Sequence, residues 1–407
     1  FIITSNKIFK DILNHKYSYF FFNSFIAVSA KSKGYSIKEI ETLFQDRKSG
    51  KSFMKLFPAD VVVKVLIDLG KAFWEYNFQT RKYSDIERFV TENDGSLNAK
   101  ARETCSGLYE KIYFVTSPLH KWMITRRARY LLNALRKSQY LSKSKIEELQ
   151  NNRLKNIINH AYYNVPYYRK IFDKNNLRPE DIKSQEDLIR IPPLSKSDVR
   201  ENTYFDLFAE NHNKAKMLKV STSGSTGEPL TCFADQDQLE TRFASTLRAM
   251  EWTGWKIGDK NARLWHQNLG KDFLKIIREK IDSLFIRRKF IPAFEMKDEK
   301  ISEMLENLKD YKPKLIDGYA ESFNYIAHYV KNNPSTDFSV DSIMTSAQTM
   351  PNHVRREIES NLKAEVFDKY GSREFSGIAY ECEEHDGYHI MAESYIVEII
   401  KDGRPAK

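Results

Sequence analysis

The chain has 407 residues, two to three times the roughly 100–200 of one domain, so more than one core is expected. Hydrophobic residues make up 41% and charged residues 29%, enough apolar surface to exclude wholesale disorder. The 65 Lys and Arg against 55 Asp and Glu, a net +10, are interspersed along the chain, which favours anionic partners only weakly and gives no reason to expect nucleic acid.

The chain opens on Phe1 with no initiator Met and no signal peptide, so a cut N-terminus is expected. The longest apolar stretch, Tyr17 to Ala30, is broken by Asn23 and Ser24 and falls short of the roughly 20 residues of a membrane-spanning helix. Ser36 to Phe44 alternates apolar and polar residues, as an edge strand or short helix does. Phe53 to Tyr76 carries Val61, Val62, Val65, Leu66, Leu69, Phe73 and Trp74 at mostly helical spacing and predicts a helix. The polar stretch Glu92 to Lys100, with Asp94-Gly95-Ser96 inside it, has the turn chemistry of a linker.

From Leu108 to His160 the pattern is helical. Lys121, Arg126, Arg127, Arg129, Arg136 and Lys137 accompany Trp122, Tyr130, Leu131, Leu132 and Leu135. Such a segment either lies on an anionic membrane surface or presents a solvated basic face over an ordinary core stripe. Beyond Pro192-Pro193, short apolar runs (Leu218–Val220, Leu315–Ile316, Ile343–Met344, Val366–Phe367) alternate with helical stretches, which predicts an α/β sheet. Three scattered cysteines, Cys105, Cys232 and Cys382, build no disulfide framework and fit a reducing, cytoplasmic compartment. Lys407 follows the turn-like Asp402-Gly403-Arg404-Pro405, so a cut C-terminus is expected as well.

The sharpest chemical signal is the loop from Val220 to Pro229, in which Thr222, Ser223, Gly224, Ser225, Thr226 and Gly227 follow an apolar run. Glycines let backbone approach a phosphate, while hydroxyls and unpaired N–H groups supply donors for its oxygens. No Gly-Lys-Ser/Thr follows, so it is not a Walker A loop, and Ser223 stands where a nucleophile elbow has its first glycine. Cys382, His385 and His389 have Cys-x-x-His-x-x-x-His spacing, which suits structural zinc or an exposed loop.

The segment Thr222 to Pro229 resembles the phosphate loop of adenylate-forming enzymes, within them the phenylacetate-CoA ligase and CapK-like group. Val366-Phe-Asp-Lys-Tyr-Gly-Ser-Arg-Glu374 is similar to that family's Tyr-Gly-x-x-Glu segment, and Met344-Thr-Ser-Ala-Gln-Thr-Met350 to the strand end lining its adenine site. Leu154 to Arg169 and Asp187 to Lys196 look like the group's N-terminal signature, so the resemblance covers about 105–407. It implies an α/β adenylate-forming N-terminal core without its small C-terminal domain, acting on a carboxylic acid with ATP, Mg2+ and, as one candidate acceptor, CoA. By that resemblance Tyr370 and Gly371 with Ser346 and Ala347 take the adenine end and Glu374 binds Mg2+; Arg373, standing where relatives have a hydroxyl, could meet phosphate bidentately instead. Trp265, His266, Gly318 and Tyr319 fall where relatives build the acyl pocket; as plain residues Trp265, His266 and Tyr319 read as core aromatics rather than substrate contacts. Three departures stand out: Glu228 where relatives carry Lys, Arg373 where they carry Ser or Thr, and Gln348 where Glu or Gly is frequent.

Ala30 to Ser52, with Asp46-Arg47 and Gly50-Lys51-Ser52, resembles the C-terminal part of a family 2 glycosyltransferase of the dolichol-phosphate-mannose synthase kind. The match covers about Phe1 to Trp74. Its nucleotide-sugar strands and acidic metal motif would lie upstream of Phe1, so no sugar transfer is expected from it. The expected organisation is therefore 1–90 glycosyltransferase remnant, 91–104 linker and 105–407 adenylation domain cut at its C-terminus. Its expected role is acid activation in cell-surface polysaccharide assembly, with a non-catalytic nucleotide-binding scaffold at the membrane surface as the alternative.

Overall fold

The computed structural model describes residue 67 and residues 84–96, 107–120, 127–214, 217–222, 229–265, 280–293, 296–401 and 404–405. The chain divides into two compact units, Phe1–Tyr83 and Ser84–Lys407. The predicted elements at Ser36–Phe44 and Phe53–Tyr76 and the glycosyltransferase-like segment, residue 67 apart, lie outside the described residues.

The division falls at Tyr83/Ser84, ahead of the expected 91–104 linker, for a local reason. Ser84 opens helix α1 (Asp85–Glu92) with a capping box: its Oγ accepts from Glu87 N at 3.1 Å, and Glu87 Oε2 accepts from Ser84 N at 2.9 Å. Ile86 and Val90 of α1 then join a core cluster with Leu131, Leu135 and Leu247, and Lys137 pairs with Asp94 at 2.6 Å. Residues 85–96 therefore belong to the second unit.

Next come α2 (Leu108–His120) and α3 (Arg127–Ser138). Leu131, Leu132 and Leu135 of α3 are fully buried, and Arg136 clasps Glu110 of α2 at 2.8 Å and also pairs with Glu251. Leu131, Leu132 and Leu135 of the stripe that suggested a membrane surface face the protein core while Tyr130 is exposed, Lys121, Trp122 and Arg126 lie outside the described residues, and the described helices include none long and apolar enough to cross a bilayer. Helices α4 (Lys143–Asn164) and α5 (Pro166–Lys174) meet at Val165, whose extended backbone is the conformation a following proline favours. They bury Leu154, Ile158 and Phe172 with Leu177 and Ile182 in a satellite cluster. A short helix, α6 (Lys196–Asn202), follows, capped by Ser195.

Leu218–Val220 does form a strand, but outside the main sheet: β1 (Leu218–Ser221) pairs antiparallel with β2 (Thr231–Ala234). After α7 (Gln236–Trp252) come β3 (Asn261–Trp265), β4 (Arg288–Pro292), α8 (Asp298–Tyr311), β5 (Leu315–Tyr319), α9 (Ala320–Asn332), β6 (Ser342–Ser346), α10 (Asn352–Leu362), β7 (Glu365–Ser372), β8 (Ser376–Tyr380) and β9 (His389–Ile390). They build a seven-stranded sheet of order β4-β3-β5-β6-β7-β8-β9, parallel through β7 and antiparallel thereafter. Successive residues face opposite sides. Leu315 and Met344 pack toward α3 and α7, while Ile316 and Ile343 pack toward α8, α9 and α10. A last hairpin joins β10 (Ile400–Lys401) and β11 (Arg404–Pro405).

Candidate functional site

The parallel strands β3, β5, β6 and β7 end along one edge of the sheet, and the residues singled out by sequence collect there. Register fixes their order: Leu264 pairs with Gly318, Gly318 with Thr345, Tyr319 with Ser346, and Ser346 with Lys369. Open α/β sheets bind ligands outside the carboxyl ends of their strands. Trp265, Gly318, Tyr319, Ser346, Ala347, Tyr370 and Gly371 share this edge, whereas His266 and Ser223–Gly227 lie outside the described residues.

Thr222 marks the base of the hydroxyl-rich loop. Its N–H donates to Leu230 O at 2.9 Å, and its Oγ1 accepts from Leu230 N at 2.8 Å. Those bonds close the loop while leaving the Thr222 hydroxyl proton to donate. Opposite Val220 in the hairpin sits Cys232. Burial and the negative charge of Glu374 push its thiol upward in pKa, against Arg242. Glu374 therefore lies close to the hairpin that carries the loop. Among the described residues its carboxylate has no hydrogen bond or ion pair to another side chain.

The turn bearing Glu374 is held tightly. At Gly371 a Cβ would stand 1.9 Å from Ser376 O, so no larger residue fits the β7–β8 crossing. Arg242 of α7 donates from Nη2 to Arg373 O and from Nη1 to Glu374 O, both at 3.3 Å, and Tyr395 OH donates to Phe375 O. Three successive carbonyls are thus taken by side chains from two other segments. Sequence reading missed Arg242 and Tyr395, because neither sits in a motif. Tyr395 is in turn anchored through the segment before it: Glu393, buried, meets Arg248 of α7 at 2.5 Å and also accepts from the Ser138 hydroxyl. Burial opposes the charge on Glu393, but Arg248 and Ser138 outweigh it and hold the carboxyl below the usual glutamate range. Tyr370 itself projects an exposed ring, 61% accessible.

At the other end of the edge, Trp265 and Tyr319 stack with centroids 4.3 Å apart and 16° between planes, and the Arg263 guanidinium lies 4.4 Å over the indole. Arg263 Nε is 3.1 Å from Asp317 Oδ2, its direct neighbour in the β3–β5 register. Burial pushes the Asp317 carboxyl up, but Arg263, Lys369 and Arg288 prevail and keep it below the usual aspartate range. Burial raises the Tyr319 phenol, while the charges of Arg263 and Arg373 act to lower it, which brings the Arg373 turn near the aromatic shelf. Gln348 Oε1 accepts from Glu321 N at 2.9 Å, tying the end of β6 to the first turn of α9, whose N–H groups lack helical partners. Ala347 adopts φ 72°, a left-handed conformation that non-glycine residues adopt at functional turns.

The zinc spacing does not converge. His389 Nε2 lies 3.1 Å from Cys382 Sγ, but His385 Nε2 turns to Glu365 at 3.0 Å. Among the described residues no group of three His, Cys, Asp or Glu is placed to hold a metal.

No protein-family model matches the chain. It is 27% identical over 274 residues to a phenylacetate-coenzyme A ligase of Aromatoleum evansii, covering 64% of this chain and 58% of that protein. With the phenylacetate-coenzyme A ligase of Escherichia coli K12 the figures are 28% over 272 residues, 65% and 61%. Protein CapK of Staphylococcus aureus is 26% identical over 247 residues, covering 59% and 52%. The chain thus spans between about half and three fifths of the length of these relatives. Among solved structures, 2-hydroxyisobutyryl-CoA ligase in complex with 2-HIB-AMP and CoA matches with TM-score 0.50 at 18% identity, over 61% of this chain and 55% of that one. The described region shares the α/β fold of the adenylate-forming ligases. The glycosyltransferase resemblance of Phe1–Trp74 finds no support among these relatives.

Proposed function

We propose that residues 84–407 activate a carboxylic acid with ATP as an acyl adenylate and pass the acyl group to CoA or another acceptor. The observation that carries this is the convergence of separate sequence segments on one sheet edge. Glu374 acts electrostatically on the hairpin of the hydroxyl-rich loop, Arg373 on Tyr319, and Ser346 stands beside Tyr319. A carboxylate oxygen attacks the α-phosphorus, an O–P bond forms, and the bond to pyrophosphate breaks. The protein's part is to position and to neutralise. Thr222 and the loop through Gly227 hold phosphate oxygens, the Tyr370 ring and the chain at Ser346–Ala347 hold adenine, and Trp265, Gly318 and Tyr319 border the acyl group. Arg373 meets phosphate as a fork.

A hard cation fits the Glu374 carboxylate, because it is ionisable, half-buried and unclaimed by any described cation. Mg2+ typically takes one or two carboxylates and completes its shell with water and substrate phosphate. Bound there it would supply charge neutralisation of the phosphates. The likeness to CapK supports a place in cell-surface polysaccharide assembly, and the scatter of three cysteines along the sequence supports a cytoplasmic setting. Calorimetric titration with ATP and with AMP, with and without Mg2+, tests the reading: Mg2+-dependent heat with ATP is expected, and no heat with either nucleotide overturns it.

A further inference from the structure

We infer that the acid taken at this edge carries a hydroxyl group, recognised by Asp317 and Arg263; this rests on the acid-activating reading above. Among the described residues, three polar atoms in adjacent strands are buried without a hydrogen-bond partner: Arg263 Nε on β3, Asp317 Oδ1 on β5 and Ser346 Oγ on β6. Arg263 Nε lies 3.1 Å from Asp317 Oδ2 but is not aligned to donate to it. Side chains of directly paired residues share a face, so Arg263 and Asp317 form one row on the sheet, and Trp265, Tyr319 and Ser346 form the next row toward the strand ends. An unmet donor, an unmet acceptor and an unmet hydroxyl thus lie within two adjacent rows, the second of which carries the stacked rings of Trp265 and Tyr319.

Unsatisfied buried polar groups are destabilising, and native proteins leave few of them. What satisfies a donor and an acceptor side by side is a group that both accepts and donates, which a hydroxyl does and a hydrocarbon does not. The charge pattern agrees. Asp317 is ionised among Arg263, Arg288 and Lys369, so it acts as an acceptor toward the ligand. A plain aryl or alkyl acid would instead leave all three atoms unpaired. Sites built to hydrogen-bond a substrate hydroxyl reject the analogue lacking it by large factors.

The test is ATP–pyrophosphate exchange by the whole chain with matched acids: mandelate against phenylacetate, lactate against propionate, gluconate against hexanoate. In at least one pair the hydroxy acid is expected to exceed its deoxy partner by about 100-fold or more in kcat/KM. Asp317→Asn should narrow that ratio to about 10-fold or less with nucleotide affinity, read by calorimetry, unchanged. Equal exchange within every pair overturns the inference and leaves the acid-activating reading standing; exchange with no acid at all removes both. A preference that survives Asp317→Asn intact also overturns it. Should that variant not fold, Ser346→Ala, which removes only the unmet hydroxyl, must narrow the ratio in its place, and an unchanged ratio counts against the inference.

Discussion

At the scale of single residues, two carboxylates in this molecule have opposite situations. Glu374 is half-buried without a cationic side-chain partner, whereas Glu393 is buried against Arg248 and Ser138. Glu374→Gln should therefore lower Mg-ATP-dependent turnover by about 10- to 1000-fold, the range for removing one preorganised electrostatic group. Its melting temperature should move by no more than about 2 °C; full activity would make Glu374 a structural residue. Glu393→Ala strands the Arg248 charge and should cost about 3–5 kcal/mol of stability in a urea titration. Because the folded-state pKa of Glu393 is depressed, its contribution is present above the ordinary glutamate value of 4.5 and fades as the pH falls below it. The Glu393→Gln protein should accordingly lose less stability than the wild type between pH 5 and 3. Tyr370, Gly371 and Glu374 could be singled out from the sequence because they are contiguous in it. The Arg263–Asp317 pair was not: both lie next to residues compared with the acyl pocket, but their pairing exists only through the β3–β5 register.

At the scale of elements, helix α7 links the site to the core. Arg242 grips the Glu374 turn directly, and Arg248 grips it through Glu393 and Tyr395. Two hydrogen bonds of about 0.5–1.5 kcal/mol each predict that Arg242→Ala lowers kcat about 5- to 100-fold with a smaller change in the KM for the acid. Arg242→Lys should recover part of the loss by reaching one carbonyl; equal defects in Lys and Ala variants would deny Arg242 a positioning role. Strands β5, β6 and β7 were readable because strands covered by helices on both faces appear as continuous apolar runs. Strand β3 was hidden because Asn261 and Arg263 interrupt it with polar groups that serve the interior of the sheet, and β4, Arg-Lys-Phe-Ile-Pro, reads as an exposed segment. The hydrophobic run of β1 was read as a strand, yet nothing local distinguishes a hairpin carrying a loop from a strand of the main sheet.

At the scale of the molecule, the division at Ser84 makes a prediction about where the second unit starts. A chain beginning at Ser84 keeps Ile86, Phe89 and Val90 in the core, where their relative exposures are 1%, 7% and 2%. One beginning at residue 105, where the family resemblance begins, loses three apolar side chains at roughly 1.5–3 kcal/mol each. The shorter protein should melt at clearly lower temperature, and equal melting would return 84–104 to the status of a linker. Polarity pointed to Glu92–Lys100 because that stretch carries turn residues, whereas the capping box that opens the second unit, Ser84 with Glu87, lies upstream of it. The sheet also has an outer consequence. Its two margins are β4, where Arg288 and Lys289 stand before Pro292, and β9, which is two residues long. Charge, proline and brevity are the devices by which edge strands refuse a foreign strand. Neither border therefore offers a template on which a second chain could extend the sheet, and a concentrated solution of this protein should resist growth of fibres by edge-to-edge addition.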